Sequence, residues 1–352
     1  MAEQSYHKQE DLKNTIKLRE LISDLPPYTK EFFRGITPQT STRTRIAYAY
    51  DLRVFFRYLH ENNSFFKQKE IAEITLQDLE SLKPVDIEEY LEYIRVYQTS
   101  GPDAKIHSND LQAVKRKLAS LRTFYKYFYM KEMITYDPAT LVPMPKLREK
   151  NIVRLDADEV AELLDNVESG SKLTKHQQDF HEKTKVRDLA IMTLMLGTGI
   201  RVSECVGLNL TDVDFKNSGI FIHRKGGKEV TVYFGDEVEE ALLSYLDERK
   251  LIEAEAGHEN ALFLSSQRKR INVRTVENLV KKYTQTVTTS KNITPHKLRS
   301  TYGTNLYHET GDIYLVADVL GHSDVNTTRK HYAAIEDEQR RRARDKVRLR
   351  RD

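Results

Sequence analysis

The hydrophobic and polar positions of the first 140 residues follow the period of an amphipathic α-helix. In the segment 109–131, apolar side chains recur every three or four residues, at Leu111, Val114, Leu118, Leu121, Tyr125 and Phe128. A stripe of this kind is typical of a helix that packs against a core. Clusters of proline, asparagine and glycine interrupt the pattern, so we predict helices only in this region, over 9–24, 41–62, 75–98 and 109–131.

The pattern changes after a stretch that carries three prolines between residues 138 and 150. Helical spacing then alternates with two short runs that predict strands, joined by a tight Gly-Gly turn. The strands are expected at 219–224 and 229–234, and the helices from Asp156 or Asp158 to Asp165 and over 186–197, 236–254, 273–287, 295–309 and 312–320. We therefore predict a mainly α fold with a small β-sheet: a helical N-terminal domain at 1–140, a linker at 141–152, an α+β domain at 153–335 and a C-terminal tail at 336–352.

The composition is that of a globular protein and adds limits to its function. A chain of 352 residues can form two domains, and the apolar fraction of 39% supports a core in each. No apolar run approaches the roughly 20 residues that span a bilayer. The first residues lack the apolar core of a signal peptide, so we expect a cytoplasmic protein. The single cysteine, Cys205, excludes an internal disulfide and a zinc site built from several thiolates.

Positive charge is concentrated in local strips, although the net charge is only +3. One strip lies in the predicted helix 41–62 and is opposed only by Asp51, and a second lies between residues 105 and 131. Residues 340–352 add eight basic residues against two aspartates. Such strips are typical of surfaces that contact nucleic-acid phosphates. The candidates for DNA contact are Arg43, Arg45, Arg53, Lys115, Arg116, Lys117 and Arg122.

Five short segments of the second domain carry residues suited to phosphodiester chemistry. Arg201 lies in GTGIRVSE, Lys225 in RKGGK, and both His296 and Arg299 lie in TPHKLR. The final two candidates are His322 in LGHSD and Tyr332, ten residues later. Cationic groups stabilise a pentavalent phosphorane, one group donates a proton, and a phenol can attack phosphorus. The set needs neither a metal nor a cofactor.

Local spacing supports several of these assignments. Thr294 and Pro295 are suited to begin a helix, which would place His296 and Arg299 on one face near its positive end. Glu204 follows Arg201 by three residues and is expected to orient a basic neighbour rather than to react.

Each candidate alone also has an ordinary structural explanation, such as a solvated arginine, a capping histidine or a common turn. The functional interpretation depends on the whole set in its order along the chain. His176, Asp179 and His181 are also spaced like metal ligands, but their polar segment favours a surface loop or an exposed helix.

The complete set resembles the Xer-type branch of the tyrosine recombinase/integrase family, and its RKGGK and TPHKLR strings are similar to those of XerS-like members. This resemblance implies a helical, SAM-like core-binding domain followed by a catalytic domain of the tyrosine recombinase type. The segments STRTRIAYAYDLRVFFRYL and LQAVKRKLASLRTFYKYF resemble the core-binding helices, which in relatives lie in the major groove.

The same resemblance implies roles for the candidate residues. Tyr332 would form a 3′-phosphotyrosyl bond, and Lys225 would protonate the leaving 5′ oxygen. His296 would assist proton transfer, while the phosphate oxygens would be held by Arg201, Arg299 and His322. The implied partners are double-stranded DNA with paired inverted half-sites, further copies of the chain in a tetrameric synapse, and a septal DNA translocase as a candidate helper.

Three alternatives to a Xer-type recombinase that resolves chromosome dimers remain open at the level of sequence: an integrase of a mobile element, a topoisomerase and a DNA-binding protein. Xer-type enzymes resolve chromosome dimers, but the spacing from His322 to Tyr332 is one residue longer than their usual spacing and also occurs in integrases of phages or conjugative elements. A type IB topoisomerase shares the nucleophile. A DNA-binding protein without catalytic activity would use the same basic helices.

Overall fold

The computed structural model describes residues 6–98, 105–147, 153–224, 229–322 and 324–325. The chain forms two compact units that are divided between residues 149 and 150. The predicted fold class, mainly helical with small sheets, is confirmed. Across the described ranges, no helix is both long enough and apolar enough to cross a membrane.

The first unit is built mainly from helices, and the two long ones begin at side-chain caps. Ser41 accepts a hydrogen bond from the backbone N–H of Thr44, and Asp110 accepts one from Ala113. The helices are α1 (Tyr6–Leu21), α2 (Tyr28–Gly35), α3 (Thr42–Asn62), α4 (Leu76–Glu80), α5 (Pro84–Tyr93), α6 (Leu111–Met130) and α7 (Pro138–Leu141). Helix α3 packs against both α1 and α6.

The prediction of helices only in this region was wrong. Strands β1 (Val96–Gln98) and β2 (Ile106–Ser108) pair antiparallel, and the predicted helix 75–98 is divided into α4, α5 and β1. Pro84 explains the first division, because a proline disfavours the helical conformation at the preceding residue, and Lys83 is extended.

Aromatic side chains fill the core of the first unit. Phe32, Phe55, Phe56, Phe124 and Phe128 are fully buried, and many of their rings meet edge to face. The core continues past residue 140, since the buried side chain of Val142 and the partly buried side chain of Met144 also pack on it. Part of the stretch predicted as a linker therefore belongs to this core.

The second unit surrounds a buried helix with further helices and one sheet. Its helices are α8 (Ala157–Ser169), α9 (Lys175–His181), α10 (Lys185–Thr198), α11 (Val202–Gly207), α12 (Asp236–Arg249), α13 (Val273–Thr284), α14 (Pro295–Thr310) and α15 (Ile313–Leu320). Strands β3 (Val213–Asp214), β4 (Gly219–His223) and β5 (Glu229–Tyr233) form an antiparallel sheet in that order. Helix α10 is central, because it packs against α8, α12 and α14.

Two helices of this unit end at glycines that lie close together. Gly199 ends α10 with φ 63° and Gly321 ends α15 with φ 62°, both in the left-handed region that glycine adopts without strain. A Cβ atom at Gly199 would lie only 2.4 Å from the Tyr302 ring and 3.0 Å from a methyl group of Leu320. The turn before Arg201 is therefore packed directly against α14 and the end of α15.

Candidate active site

Arg299 connects the turn after α10 to the end of α15. Its position on α14 buries the side chain, which is 4% exposed. One guanidinium nitrogen, Nη1, donates to the carbonyl of Gly199 at 2.5 Å, and Nη2 donates to the carbonyl of Leu320. The helix begins at Pro295 as expected, but the Thr294 side chain makes no capping hydrogen bond. Two backbone carbonyls, at the ends of α10 and α15, therefore hold the buried guanidinium of Arg299.

Arg201 lies at the N-cap of α11 and is oriented by Glu204. The buried carboxylate accepts from the backbone N–H of Arg201 at 2.7 Å and from its Nη1 at 2.8 Å. The second terminal nitrogen, Nη2, lies 3.4 Å from the carbonyl of Gly321, to which it donates. The predicted orienting role of Glu204 remains a prediction, but this geometry supports it.

Of the two predicted histidines, His322 follows the backbone that both arginines contact, and His296 lies on the same helix as Arg299. His322 directly follows Gly321, and its backbone N–H donates to the carbonyl of Ala317 at 2.9 Å. His296 lies in the first turn of α14, is exposed, and precedes Arg299 by one turn. The structure thus brings Arg201 and Arg299 to the backbone that leads directly into His322.

Two predicted catalytic residues, Lys225 and Tyr332, lie outside the described residues, as does the tail 336–352. The strands on either side of Lys225 are described, and they pair up to His223 and Glu229, which face each other across the hairpin. These bounds agree closely with the strands predicted from the sequence.

Sequence reasoning missed Arg224, which precedes Lys225. Its guanidinium donates through Nη1 to the carbonyl of Asp318 at 3.3 Å and through Nη2 to that of Val319 at 2.6 Å. Burial lowers the pKa of Arg224; the nearby Glu204 carboxylate opposes this effect and the Arg201 charge adds to it. The sequence signal that could have identified Arg224 was its position in RKGGK, directly before the predicted catalytic lysine.

Some residues predicted to contact DNA have accessible side chains in the first unit. The side chain of Arg43 is 61% exposed, with Glu10 at 3.9 Å. Arg45 donates to the hydroxyl of Thr37, and Lys115 is partly exposed. Arg53 is more strongly held, because it pairs with Asp24 at 2.7 Å and donates to the carbonyl of Leu21.

The structure corrects the prediction for the basic strip of α6. Lys117 is 6% exposed, and its Nζ lies 3.1 Å from the fully buried carboxylate of Asp51, which Arg116 also contacts with both terminal nitrogens. Arg122 donates to the carbonyls of Ala139, Thr140 and Val142. The side chains of Lys117 and Arg122 therefore both stabilise the packing of the first unit. Lys117 is not part of an exposed strip, and Arg122 holds α7 in place.

The segment with metal-like spacing forms α9 and part of a buried polar network. His181 is 1% exposed, and its Nδ1 lies 3.0 Å from the hydroxyl of Tyr283, which in turn donates to Asp188 at 3.0 Å. The Asp188 carboxylate also pairs with Lys282 at 3.2 Å and with Arg187 at 2.7 Å. Within the described ranges, no group of three His, Cys, Asp or Glu side chains is placed to hold a metal ion.

The protein should lose stability in mild acid because of His181. The Tyr283 hydroxyl donates a hydrogen bond to Asp188, so Nδ1 of His181 donates to the hydroxyl oxygen, and Nε2 is a buried acceptor without a partner among the described atoms. Burial, with a contribution from the Lys282 charge, lowers the folded-state pKa of His181. The contribution of neutral His181 to the free energy of unfolding is therefore complete above about pH 6.5. It decreases as the pH falls from there through the folded-state pKa, by at most about 1.4 kcal/mol per pH unit.

Urea unfolding between pH 5 and pH 8 measures this effect. His181→Gln should flatten the dependence on pH, whereas His176→Gln, a change at an exposed histidine of the same helix, should preserve it. Equal slopes for the wild type and His181→Gln would show that another group titrates.

Comparisons with known proteins show what this chain is similar to. Residues 153–339 match the phage integrase family. The tyrosine recombinase XerC of Caldanaerobacter subterraneus subsp. tengcongensis is 33% identical over 344 residues, which cover 94% of this chain and 90% of the relative. The tyrosine recombinase XerS of Streptococcus agalactiae is 31% identical over 354 residues, covering 92% and 96%. The solved structure of the XerH site-specific recombinase bound to palindromic difH substrate is similar in fold, with a TM-score of 0.66, 18% identity and coverage of 95% and 88%.

Proposed function

Because this chain belongs to the phage integrase family, we propose that it is a site-specific tyrosine recombinase that cuts and rejoins DNA through a 3′-phosphotyrosyl intermediate. The observation that carries this proposal is the convergence of Arg201 and Arg299 on the carbonyls of Gly321 and Leu320, directly before His322. Three residues that the sequence placed in separate motifs thus meet at one place in the fold. Such a concentration of fixed cationic donors suits a phosphate whose negative charge increases in the transition state.

The proposed reaction exchanges one phosphodiester for another. The phenolic oxygen of Tyr332 attacks phosphorus as His296 assists the removal of the phenolic proton. The bond from phosphorus to the 5′ oxygen breaks, and Lys225 gives that oxygen a proton. The 5′ hydroxyl of a partner strand later attacks the phosphotyrosyl bond, which releases the tyrosine. Bond energy is conserved, so the cycle needs no nucleotide cofactor.

The geometry of Arg201 is compatible with phosphate binding. A guanidinium carries five N–H donors in a planar fork, and the described contacts with Glu204 and Gly321 use two of them from Arg201. Glu204 holds the group in one orientation, so binding a phosphate would cost little side-chain entropy.

We assign the two units different tasks within this function. The first unit is the core-binding domain, with Arg43, Arg45, Lys115 and the exposed part of Arg116 as phosphate contacts. Residues 153–335 form the catalytic domain. The partner is double-stranded DNA with paired inverted half-sites, bound by four copies of the chain in a synapse.

The biological role that the relatives favour is resolution of chromosome dimers in the cytoplasm, with a septal DNA translocase as helper. Both relatives named above are Xer recombinases, and they match nearly the full length of this chain. An integrase of a mobile element is the second candidate, favoured by the ten residues from His322 to Tyr332. Sequencing the host DNA trapped covalently on the protein separates the two, because a chromosomal terminus site and element ends differ.

Tyr332→Phe should abolish covalent adduct formation on a DNA duplex that carries a nick near the cleavage position. Without the phenolic oxygen no phosphotyrosyl bond can form, whereas DNA binding should stay within a few-fold of the wild type. The adduct is measured by denaturing gel electrophoresis, with the label on the strand that ends in the 3′ phosphate after cleavage.

Tyr314→Phe is the matched control, since this tyrosine on α15 is 71% exposed and precedes His322 by eight residues. It should form the adduct at the wild-type rate.

Strand exchange between two duplexes selects a recombinase over a topoisomerase. Absence of any adduct with wild-type protein and host DNA would instead favour a DNA-binding protein without catalytic activity.

A further inference from the structure

The end of α15 is held by three arginines that come from three different elements. The carbonyls of residues 318–321 are successive, and each accepts a hydrogen bond from a guanidinium. Arg201 and Arg299 hold the last two, while Arg224, which follows strand β4, holds those of Asp318 and Val319. Arg224 therefore links the sheet to the helix whose next residues are Gly321 and His322.

Physical chemistry explains why arginines gather at this helix end. The last four carbonyls of an α-helix have no partner within the helix, and together they form the negative end of the helix dipole. A guanidinium suits them because its fork can donate to two adjacent carbonyls while the positive charge offsets the dipole. The pair of bonds from Arg224 uses that geometry.

The backbone at Gly321 shows how closely Arg224 approaches. A Cβ atom built on Gly321 would lie 2.0 Å from Nη1 of Arg224, so the guanidinium occupies the space that any other side chain would need. The left-handed φ of 62° also favours glycine at this position. The turn and the arginine therefore fit each other closely.

We propose that Arg224 is a positioning residue for strand cleavage, which fixes the end of α15 and thereby holds His322 in its reactive place. This proposal rests on the function proposed above. The two terminal nitrogens of Arg224 donate to carbonyls of α15, and its Nε is buried, so the hydrogen bonds that its guanidinium makes in this structure are with the helix end. Arg224 is also joined to Lys225 by one peptide bond, which couples the helix end to the hairpin that carries the predicted acid.

Arg224→Met tests the proposal in the full-length protein. Methionine fills similar space without donors, so α15 should lose its anchor and His322 should move. A displacement of about 1 Å in a catalytic group can lower a rate about 100-fold, and we expect a loss of that order in single-turnover adduct formation on the nicked duplex. DNA affinity should change by less than about threefold, because phosphate contacts elsewhere dominate binding.

A double-mutant cycle distinguishes positioning from a general effect on folding. If Arg224 acts through His322, Arg224→Met should cause almost no further loss in a His322→Ala background, and the double variant should match His322→Ala alone. If Arg224 only stabilised the fold and did not act through His322, the fold-losses in cleavage rate of the two single variants would multiply in the double variant. Arg224→Lys, which keeps the charge and can donate to one carbonyl, should restore an intermediate rate and also serves if the methionine variant does not fold.

The outcomes that overturn the proposal differ from those that overturn the function. If wild-type protein forms no adduct, the recombinase assignment fails. If the wild type forms it and Arg224→Met is equally fast, or if the losses multiply in the cycle, the positioning role alone fails.

Discussion

Replacing Arg299 with alanine should lower the rate of covalent adduct formation by about 100- to 1,000-fold. Removal of one fixed donor at the point where charge develops costs a loss of this size in acyl transfer, and Arg299 is held in place by the carbonyls of Gly199 and Leu320. DNA binding should stay within a few-fold, because most affinity comes from phosphate contacts elsewhere. Single-turnover kinetics on a nicked duplex, with DNA binding measured separately, checks both expectations.

Arg249→Ala provides a matched control for Arg299→Ala. Arg249 is also a buried arginine of the second unit, 5% exposed, and it donates to the carbonyls of Ile252, Glu259 and Ala261 away from the site. Its loss should lower thermal stability, but the adduct should form at the wild-type rate per folded molecule. If both variants lose cleavage equally, Arg299 supports the fold only.

The helices and strands that carry the candidate site in the second unit could be predicted well, because their bounds follow from local sequence. Helix α14 begins at Pro295, and strands β4 and β5 end and begin close to the positions that the sequence predicts. Local pattern is informative where turn residues and hydrophobic spacing agree. By contrast, the meeting of Gly199 with Leu320 depends on contacts across more than 100 residues, and no local pattern encodes it.

The first unit shows why the rest of the prediction was incomplete. Lys117 was assigned to a basic strip because positive charge is concentrated between residues 105 and 131, yet Lys117 is only 6% exposed. Its partner Asp51 is on a different helix and is fully buried. Burial of a charge depends on tertiary pairing, and a helical pattern shows only which positions are polar. The β1–β2 hairpin was missed for a similar reason, because three-residue strands carry little periodic signal.

Asp51→Ala should destabilise the first unit by about 3–5 kcal/mol, since it leaves the Lys117 ammonium buried without its carboxylate. Asp51 accepts from Lys117 at 3.1 Å and from both terminal nitrogens of Arg116, so one carboxylate joins α3 to two residues of α6. Arg116 can be solvated when the carboxylate is removed, because its side chain is 48% exposed, whereas that of Lys117 is 8% exposed. Hydrogen exchange of the α3 and α6 amides measures the loss where it occurs.

Two further variants separate the buried charge from the simple loss of an aspartate. Asp24→Ala removes the partner of Arg53, also on α3, but the Asp24 side chain is 58% exposed, so the loss should be only about 0–1 kcal/mol. Asp51→Leu combined with Lys117→Met replaces the buried pair by apolar groups and should recover most of the lost stability. A similar loss for Asp24→Ala and Asp51→Ala, or no recovery in the double variant, would mean that α3 and α6 are held together by their aromatic core rather than by this ion pair.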